Sequence, residues 1–435
     1  MVPVPRAVEV VPAGPLRGEL RLPGDKSVSH RSLIFGALAP GGMAVDGLLE
    51  AGDVRATQGA VEALGARVEQ EASGRRVVYG PERLVEPPQV VDCGNSGTSI
   101  RLLTGLLAGV DGLAVLTGDH SLRRRPMARV VEPLRRMGAV VDGRDGGRLA
   151  PLCVRGGALQ AVDHDLAIAS AQVKSALLLA GLRGGVRVRE PRTSRDHTER
   201  FLAAMGAPVR DDGDGWLALQ GGRPLTPVDV VVPRDISSAA FLLVAATLIE
   251  GSEVLLPDVG LNPTRTGVLD ALLAMGASIE VVERHDDGLE PRGTLAVRSA
   301  PLHGIRIDGD LALRSLDELP VLAVAAAFAE GPTVIADAAE LRVKESDRIA
   351  RVASGLRSLG VDVQEAPDGM TIVPPSGGPR GPARIDASGD HRLAMSFTVA
   401  GRVAPGGVHI DHADAVASSW PGFYEALESL SGEGR

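Results

Sequence analysis

Eight short segments hold side chains able to do chemistry, and most follow one pattern: small or polar residues, a cation, then an apolar run. LPGDKSVSHRSL (22–33) sets Lys26, Ser27 and Arg31 at a helix start expected near Ser27. Backbone N–H groups at such a terminus, a hydroxyl and two cations make an anion site. A P-loop needs glycine before its lysine; Asp25 stands there instead. CGNSGTSIRLLTGLLAG (93–109) offers a second nest, where Gly97 lets a ligand approach the backbone. LTGDHSLRRRPM (116–127) aligns three arginines ending at Arg125, which repel one another unless an anion or carboxylates neutralise them. SAQVKSALL (170–178) puts Ser170 and Gln172 at a third helix start. Lys174 falls in its first turn, where the helix dipole disfavours a cation.

PRTSRDHTER (191–200) contains Arg195, His197 and Glu199, but no second histidine at the spacing a metal pair needs. SLDELPVLAVAAAF (315–328) sets Asp317 and Glu318 ahead of an apolar helix, where acidic residues also serve as caps. ELRVKESDRIARV (340–352) reads as a helix with Lys344 and Arg348 on one face and Glu345 and Asp347 between them; a salt-bridged surface helix is the alternative. SGDHRLAMSF (388–397) adds Arg392 at another glycine-preceded helix start. The chain has only three lysines among 46 basic residues, and all three fall in these segments. The set points to a cleft between two domains, binding a ligand or ligands with several anionic groups.

The elements that position these groups repeat. A helix-like stretch, Leu/Met-Gly and a β-rich run recur at Gly65, Gly138, Gly206, Gly276 and Gly360, about every seventy residues. The glycine is expected to cap the helix in a left-handed conformation. A sixth copy is expected to be split, with FYEALESLSGEGR at the C-terminus completed by AVEVV and GELRLP near the N-terminus. Residues 170–182, 237–249 and 319–331 are apolar around most of a helical circumference and read as enclosed helices. The change-over between halves is expected near VVPRDISS (231–238), with a second hinge near Leu22-Pro23-Gly24.

Composition narrows the function classes. With 435 residues, 44% hydrophobic and 23% charged, the chain reads as an ordinary globular protein. A net charge of −9 argues against bulk nucleic-acid binding, and ten aromatic residues leave little for a base-stacking platform. No apolar run is long enough for a membrane span, and MVPVPRAVEV lacks the apolar core of a signal peptide. Cys93 and Cys153 make neither a disulfide framework nor a zinc site, so the cytoplasm is the expected compartment.

LPGDKSVSHRSL, NSGTSIRL, LRRRPM, SAQVKSALL, RVKESDR and GDHRLAMSF, in that order, resemble the 5-enolpyruvylshikimate-3-phosphate (EPSP) synthase family from about Leu22 to Tyr424. The resemblance implies an α/β fold of two similar domains, each of three βαβαββ units (an inverse α/β barrel), joined by a two-strand hinge. They would comprise residues 24–236, and 1–23 plus 237–435. It implies transfer of the enolpyruvyl group of phosphoenolpyruvate to the 5-hydroxyl of shikimate 3-phosphate, a step of the shikimate pathway. It implies no cofactor and no metal, a monomer, and a glyphosate target. Lys26, Ser27, Arg31, Ser170, Ala171, Gln172, Arg195, Asp317 and Lys344 are then shikimate 3-phosphate contacts. Lys26, Gly97, Arg125, Gln172, Arg348 and Arg392 are phosphoenolpyruvate contacts. Asp317 is the hydroxyl base and Glu345 the acid/base at the methylene carbon, with Lys26 completing the catalytic set. Some relatives have a lysine before the C-terminal aromatic–Pro pair; here Ser418 and Ser419 precede Trp420-Pro421. RDHTE (195–199) and NPTR (262–265) resemble the subclass described as glyphosate-tolerant, yet glyphosate is expected to bind because Gly97 leaves room. The rivals are a UDP-N-acetylglucosamine enolpyruvyl transferase and a non-catalytic anion-binding repeat protein. The first usually carries Asn after its lysine and a loop cysteine; here Ser27 follows Lys26 and residues 117–126 contain no cysteine.

Overall fold

Each Leu/Met-Gly phrase ends a helix in the way its glycine allows. In the computed structural model, which describes residues 6–432, φ is 99° at Gly65, 98° at Gly138, 90° at Gly206, 101° at Gly276 and 82° at Gly360. At Gly138 the glycine N–H donates to the Arg135 carbonyl at 3.0 Å, and the next N–H to the Leu134 carbonyl at 3.1 Å. The same two bonds recur at the other four, and together they form a Schellman closure. The residue after each glycine (Ala66, Ala139, Ala207, Ala277 or Val361) is buried; a strand follows at once in four of the five, and after Ala207 it begins at Arg210.

One repeat shows the plan. Val91–Asp92 leads to a helix, Gly97–Ala108; Gly112–Thr117 leads to a second, Ala128–Arg136; the strands Val140–Arg144 and Leu149–Gly156 complete the unit. Val91 pairs with Leu116 in parallel, which requires a crossover such as the first helix. The later strands join antiparallel, Val115 with Cys153 and Val141 with Val154. This is βαβαββ. Among the described residues there are six such sheets, five of four strands and one of three.

The helices are numbered along the chain: α1 (Lys26–Leu38), α2 (Gly52–Ala63), α3 (Gly97–Ala108), α4 (Ala128–Arg136), α5 (Ala171–Gly184) and α6 (His197–Ala204). They continue with α7 (Ile236–Leu248), α8 (Gly267–Ala274), α9 (Gly309–Arg314), α10 (Leu319–Ala327), α11 (Arg348–Ser358), α12 (His391–Val403) and α13 (Phe423–Ser431). Every residue of α10 is buried, as is nearly all of α7, which is why both are apolar all round.

The chain divides into two compact units. The first comprises Gly24–Val232 and Asp287–Glu290; the second comprises Met1–Pro23, Pro233–Asp286 and Pro291–Arg435. Each holds three sheets and its own core, around Phe35, Leu103 and Leu177 in the first and Phe241, Leu322 and Phe397 in the second. In the first, Val230–Val231 supplies the opening strand by pairing with Gly41–Asp46. The split repeat needs one correction. Ala7–Val10 does complete the sixth sheet, against Val408–Asp411. Arg17–Glu19, from GELRLP, instead pairs with Glu253–Gly260 and opens the fourth repeat. A parallel strand ahead of α7 was needed there, and no other described segment provides it.

Candidate active site

In the first unit, three helix N-termini carry the expected groups. Asp25 caps α1 by accepting from the Val28 N–H at 2.9 Å, so the helix begins at Lys26, a residue earlier than expected. Lys26 Nζ lies 3.1 Å from Asp53 Oδ2 of α2. Arg31 is buried and donates to Thr198 Oγ1 (2.7 Å), Ser175 Oγ (2.7 Å) and the Ser27 carbonyl (3.0 Å). These oxygens are neutral. Burial brings the Arg31 pKa down to about 10, against the pull of Glu199 and Asp25. A buried guanidinium satisfied by neutral groups keeps its charge available to an anion.

Ser96 caps α3 through the Ser99 N–H at 3.0 Å, and Gly97 is its first residue. Arg101, one turn on, donates to the Gly97 carbonyl (3.2 Å) and to Gln172 Oε1 (2.9 Å). Arg125 Nη2 donates to Asn95 Oδ1 (2.6 Å) and Ser121 Oγ (3.3 Å). A Cβ on Gly97 would stand 2.7 Å from Arg101 Nη1 and 3.1 Å from Arg125 Nη1. The arginine triplet therefore separates: Arg123 and Arg124 are exposed, and Arg125 turns inward against α3. On α5, the Ser170 N–H donates to Glu190 Oε1 at 2.8 Å. Ala171 and Gln172 open the helix half-buried, and Gln172 Nε2 also reaches Thr98 at 3.0 Å. Arg195 precedes α6, half-buried and near enough to act on the charge of Arg31. His197 Nδ1 meets Glu290 Oε1 at 2.7 Å.

In the second unit, one carboxylate gathers the cations. Asp317 Oδ1 lies 3.3 Å from Lys344 Nζ and 3.5 Å from Arg348 Nη1; its Oδ2 lies 3.9 Å from Arg392 Nη2. Arg392 Nη1 also donates to the Asp317 carbonyl at 2.8 Å. Glu345 Oε2 accepts from Arg348 Nη2 at 2.7 Å. Arg348 is 1% exposed and is held by Asp390 at 2.8 and 3.2 Å. Burial opposes its charge, but Asp390 and Glu345 outweigh burial and hold its pKa above the usual arginine value. The expected helix face is corrected. Asp347 caps α11 by accepting from the Ala350 N–H at 3.0 Å, so the helix starts at Arg348. Lys344 and Glu345 lie ahead of it, just after a 3₁₀ turn (Ala339–Val343). Asp317, rather than helical spacing, brings Lys344 and Arg348 together.

Several partners escape a sequence reading. Asp53 has no local signal, lying 27 residues from Lys26. Arg101 is visible only once α3 is known to start at Gly97. Glu318 accepts from Ser237 Oγ, and its Oε1 lies 3.5 Å from Arg392 and 3.6 Å from Arg265. Ser418 bonds the Ala415 carbonyl at 2.9 Å and supplies no cation. Among the described residues, no group of three or more His, Cys, Asp and Glu side chains has metal-holding geometry.

The repeated βαβαββ units are those of an enolpyruvyl transferase. The structure titled enolpyruvyl transferase NikO from Streptomyces tendae, 18% identical, aligns over 97% of this chain and 96% of its own with a TM-score of 0.76. An EPSP synthase structure from Acinetobacter baumannii aligns over 98% of both chains, with a TM-score of 0.86 and 42% identity. The family model for EPSP synthase (3-phosphoshikimate 1-carboxyvinyltransferase) matches residues 10–427. The 3-phosphoshikimate 1-carboxyvinyltransferases of an Anaeromyxobacter species and Geobacter sulfurreducens are 53% and 50% identical. The first alignment covers 96% of both chains; the second covers 97% of this chain and 98% of the relative. The chain belongs to the EPSP synthase family. That membership removes the ground for both rival readings.

Proposed function

We infer that the chain transfers the enolpyruvyl group of phosphoenolpyruvate to the 5-hydroxyl of shikimate 3-phosphate and releases phosphate, the reaction of its family. Each substrate carries a phosphate and a carboxylate, and four anionic groups call for many cations. In this reading Lys26, Ser27, Arg31, Ser170, Ala171, Gln172, Arg195, Asp317 and Lys344 serve shikimate 3-phosphate. Lys26, Gly97, Arg125, Gln172, Arg348 and Arg392 serve phosphoenolpyruvate.

The chemistry is addition and then elimination. Asp317 takes the proton of the 5-hydroxyl while that oxygen bonds to C2 of phosphoenolpyruvate. Glu345, in its protonated form, gives its proton to C3, so the double bond becomes a methyl-bearing tetrahedral carbon. In the return step Glu345 recovers a proton from that methyl, the C2–O bond to phosphate breaks, and the double bond reforms. The hydroxyl proton leaves with phosphate. The observation that carries the reading is Asp317 among Lys344, Arg348 and Arg392, with Glu345 on the same guanidinium. Glu345 shares the Arg348 guanidinium with Asp390 and Asp317.

The test is phosphate release with both substrates present and with each omitted. Asp317→Ala and Glu345→Ala are each expected to lower turnover by about 10²-fold or more. Near-normal turnover in a folded variant removes that residue from the mechanism. The reading also takes the chain as a cytoplasmic monomer, checked by light scattering and fractionation. No described helix is long and apolar enough to cross a membrane.

A further inference from the structure

Lys174 is a chemistry-bearing residue that the reaction above leaves unused. It is 1% exposed, with Nζ 3.0 Å from Glu190 Oε2, 2.7 Å from Glu199 Oε1 and 3.3 Å from the Ser194 carbonyl. Burial weakens the charged form, but Glu199 and Glu190 outweigh burial and keep the ammonium above the usual lysine value. Its position in the first turn of α5 is therefore compensated by two carboxylates.

The carboxylates lead to the anion-binding groups. Glu190 Oε1 accepts from the Ser170 N–H at 2.8 Å and from Ser194 Oγ at 2.8 Å, while Oε2 accepts from the Ser194 N–H at 3.3 Å. Ser194 directly precedes Arg195. Glu199 follows Thr198, the acceptor for Arg31 Nε, and its Oε2 is buried without a hydrogen-bond partner among the described residues. Lys174 thus joins the start of α5, the 190–195 loop and α6. A buried ion cluster of this kind seldom adds stability over an apolar replacement. Stability alone does not account for it.

We propose that Lys174 is a positioning residue for the phosphate of shikimate 3-phosphate: through Glu190 and Ser194 it holds Ser170 and Arg195 in the geometry that phosphate requires. The proposal rests on the reading of Ser170 and Arg195 as phosphate-side contacts. The probes are shikimate 3-phosphate and shikimate, whose affinities are compared by titration calorimetry, with KM for phosphoenolpyruvate measured alongside. Lys174→Met should reduce the preference for the phosphorylated ligand by about tenfold or more and leave KM for phosphoenolpyruvate within about twofold. Because Lys174→Met strands two buried carboxylates, the neutral triple variant Lys174→Met/Glu190→Gln/Glu199→Gln is measured with it, and the same loss is expected. An unchanged preference in either folded variant overturns the proposal, even if the melting temperature falls. So does a rise of more than about twofold in KM for phosphoenolpyruvate. If neither variant folds, the cluster is a folding requirement and the proposal falls. Ser170→Ala separates the two levels: if it leaves the preference intact, the site reading itself is wrong, whatever Lys174 does.

Discussion

At the scale of residues, charge type and free space decide function. Lys26 presents a compact ammonium beside Asp53 at the start of α1. In the proposed reading that ammonium serves both substrates, a place a planar guanidinium cannot take. Lys26→Arg is expected to fold normally, by circular dichroism and melting temperature, and to lose most phosphate-release activity; full activity would assign that lysine no role. Gly97 acts through what it lacks. An added Cβ would press on Arg101 and Arg125, and Arg101 also holds Gln172. Gly97→Ala should raise KM for phosphoenolpyruvate several-fold, leave that for shikimate 3-phosphate near its original value, and weaken glyphosate. Inhibition of the unaltered enzyme should be competitive with phosphoenolpyruvate; an absence of competition at millimolar glyphosate would reject this. The helix starts and cations of these segments were readable because they are adjacent in the chain. Their holding partners, such as Asp390 for Arg348, come from distant helices and leave no local trace.

At the scale of elements, the glycine cap is the unit of repetition. Its effect is separable from packing at Gly206, where a Cβ would meet nothing within 4 Å while φ stays at 90°. Gly206→Ala should therefore lower stability by about 1–2 kcal/mol, the cost of a left-handed non-glycine residue, with kcat unchanged. A denaturant titration reads the first and steady-state kinetics the second. The cap was legible because it depends only on local dihedral preference. The assignment of Arg17–Glu19 to the fourth sheet was not, because an edge strand's neighbour is chosen by which sheet lacks one. The segment around Lys344 was misread as helical because its charges have helical spacing, whereas Asp347 supplies the cap that delays the helix.

At the scale of the whole molecule, buried neutral histidines couple stability to pH. His30 is fully enclosed, with Nδ1 2.7 Å from Thr57 Oγ1. Burial, reinforced by Lys26 and Arg31, brings its pKa down to about 3 from 6.5. His164 is lowered to about 4, first by burial and then by Arg136. The unfolded chain therefore binds protons that the folded chain refuses, and stability falls as pH drops below about 6.5 and on toward 3. For His30 alone the loss between pH 8 and pH 5 is about 2 kcal/mol. His30→Gln should shrink the difference between urea-unfolding free energies at those two pH values by about that amount. An unchanged difference would show that His30 is charged in the folded state.

The sequence by itself determined the period of the repeat, the caps that end its helices, the enclosed helices and the family motifs. All of these rest on local dihedral preference, hydrophobic periodicity or contiguous residues. Tertiary structure decided which carboxylate meets which cation: Asp53 with Lys26, Asp317 with Lys344 and Arg348, and Glu190 and Glu199 with Lys174. Those pairings depend on which helix starts and loops the sheets bring side by side, and no spacing along the chain encodes that.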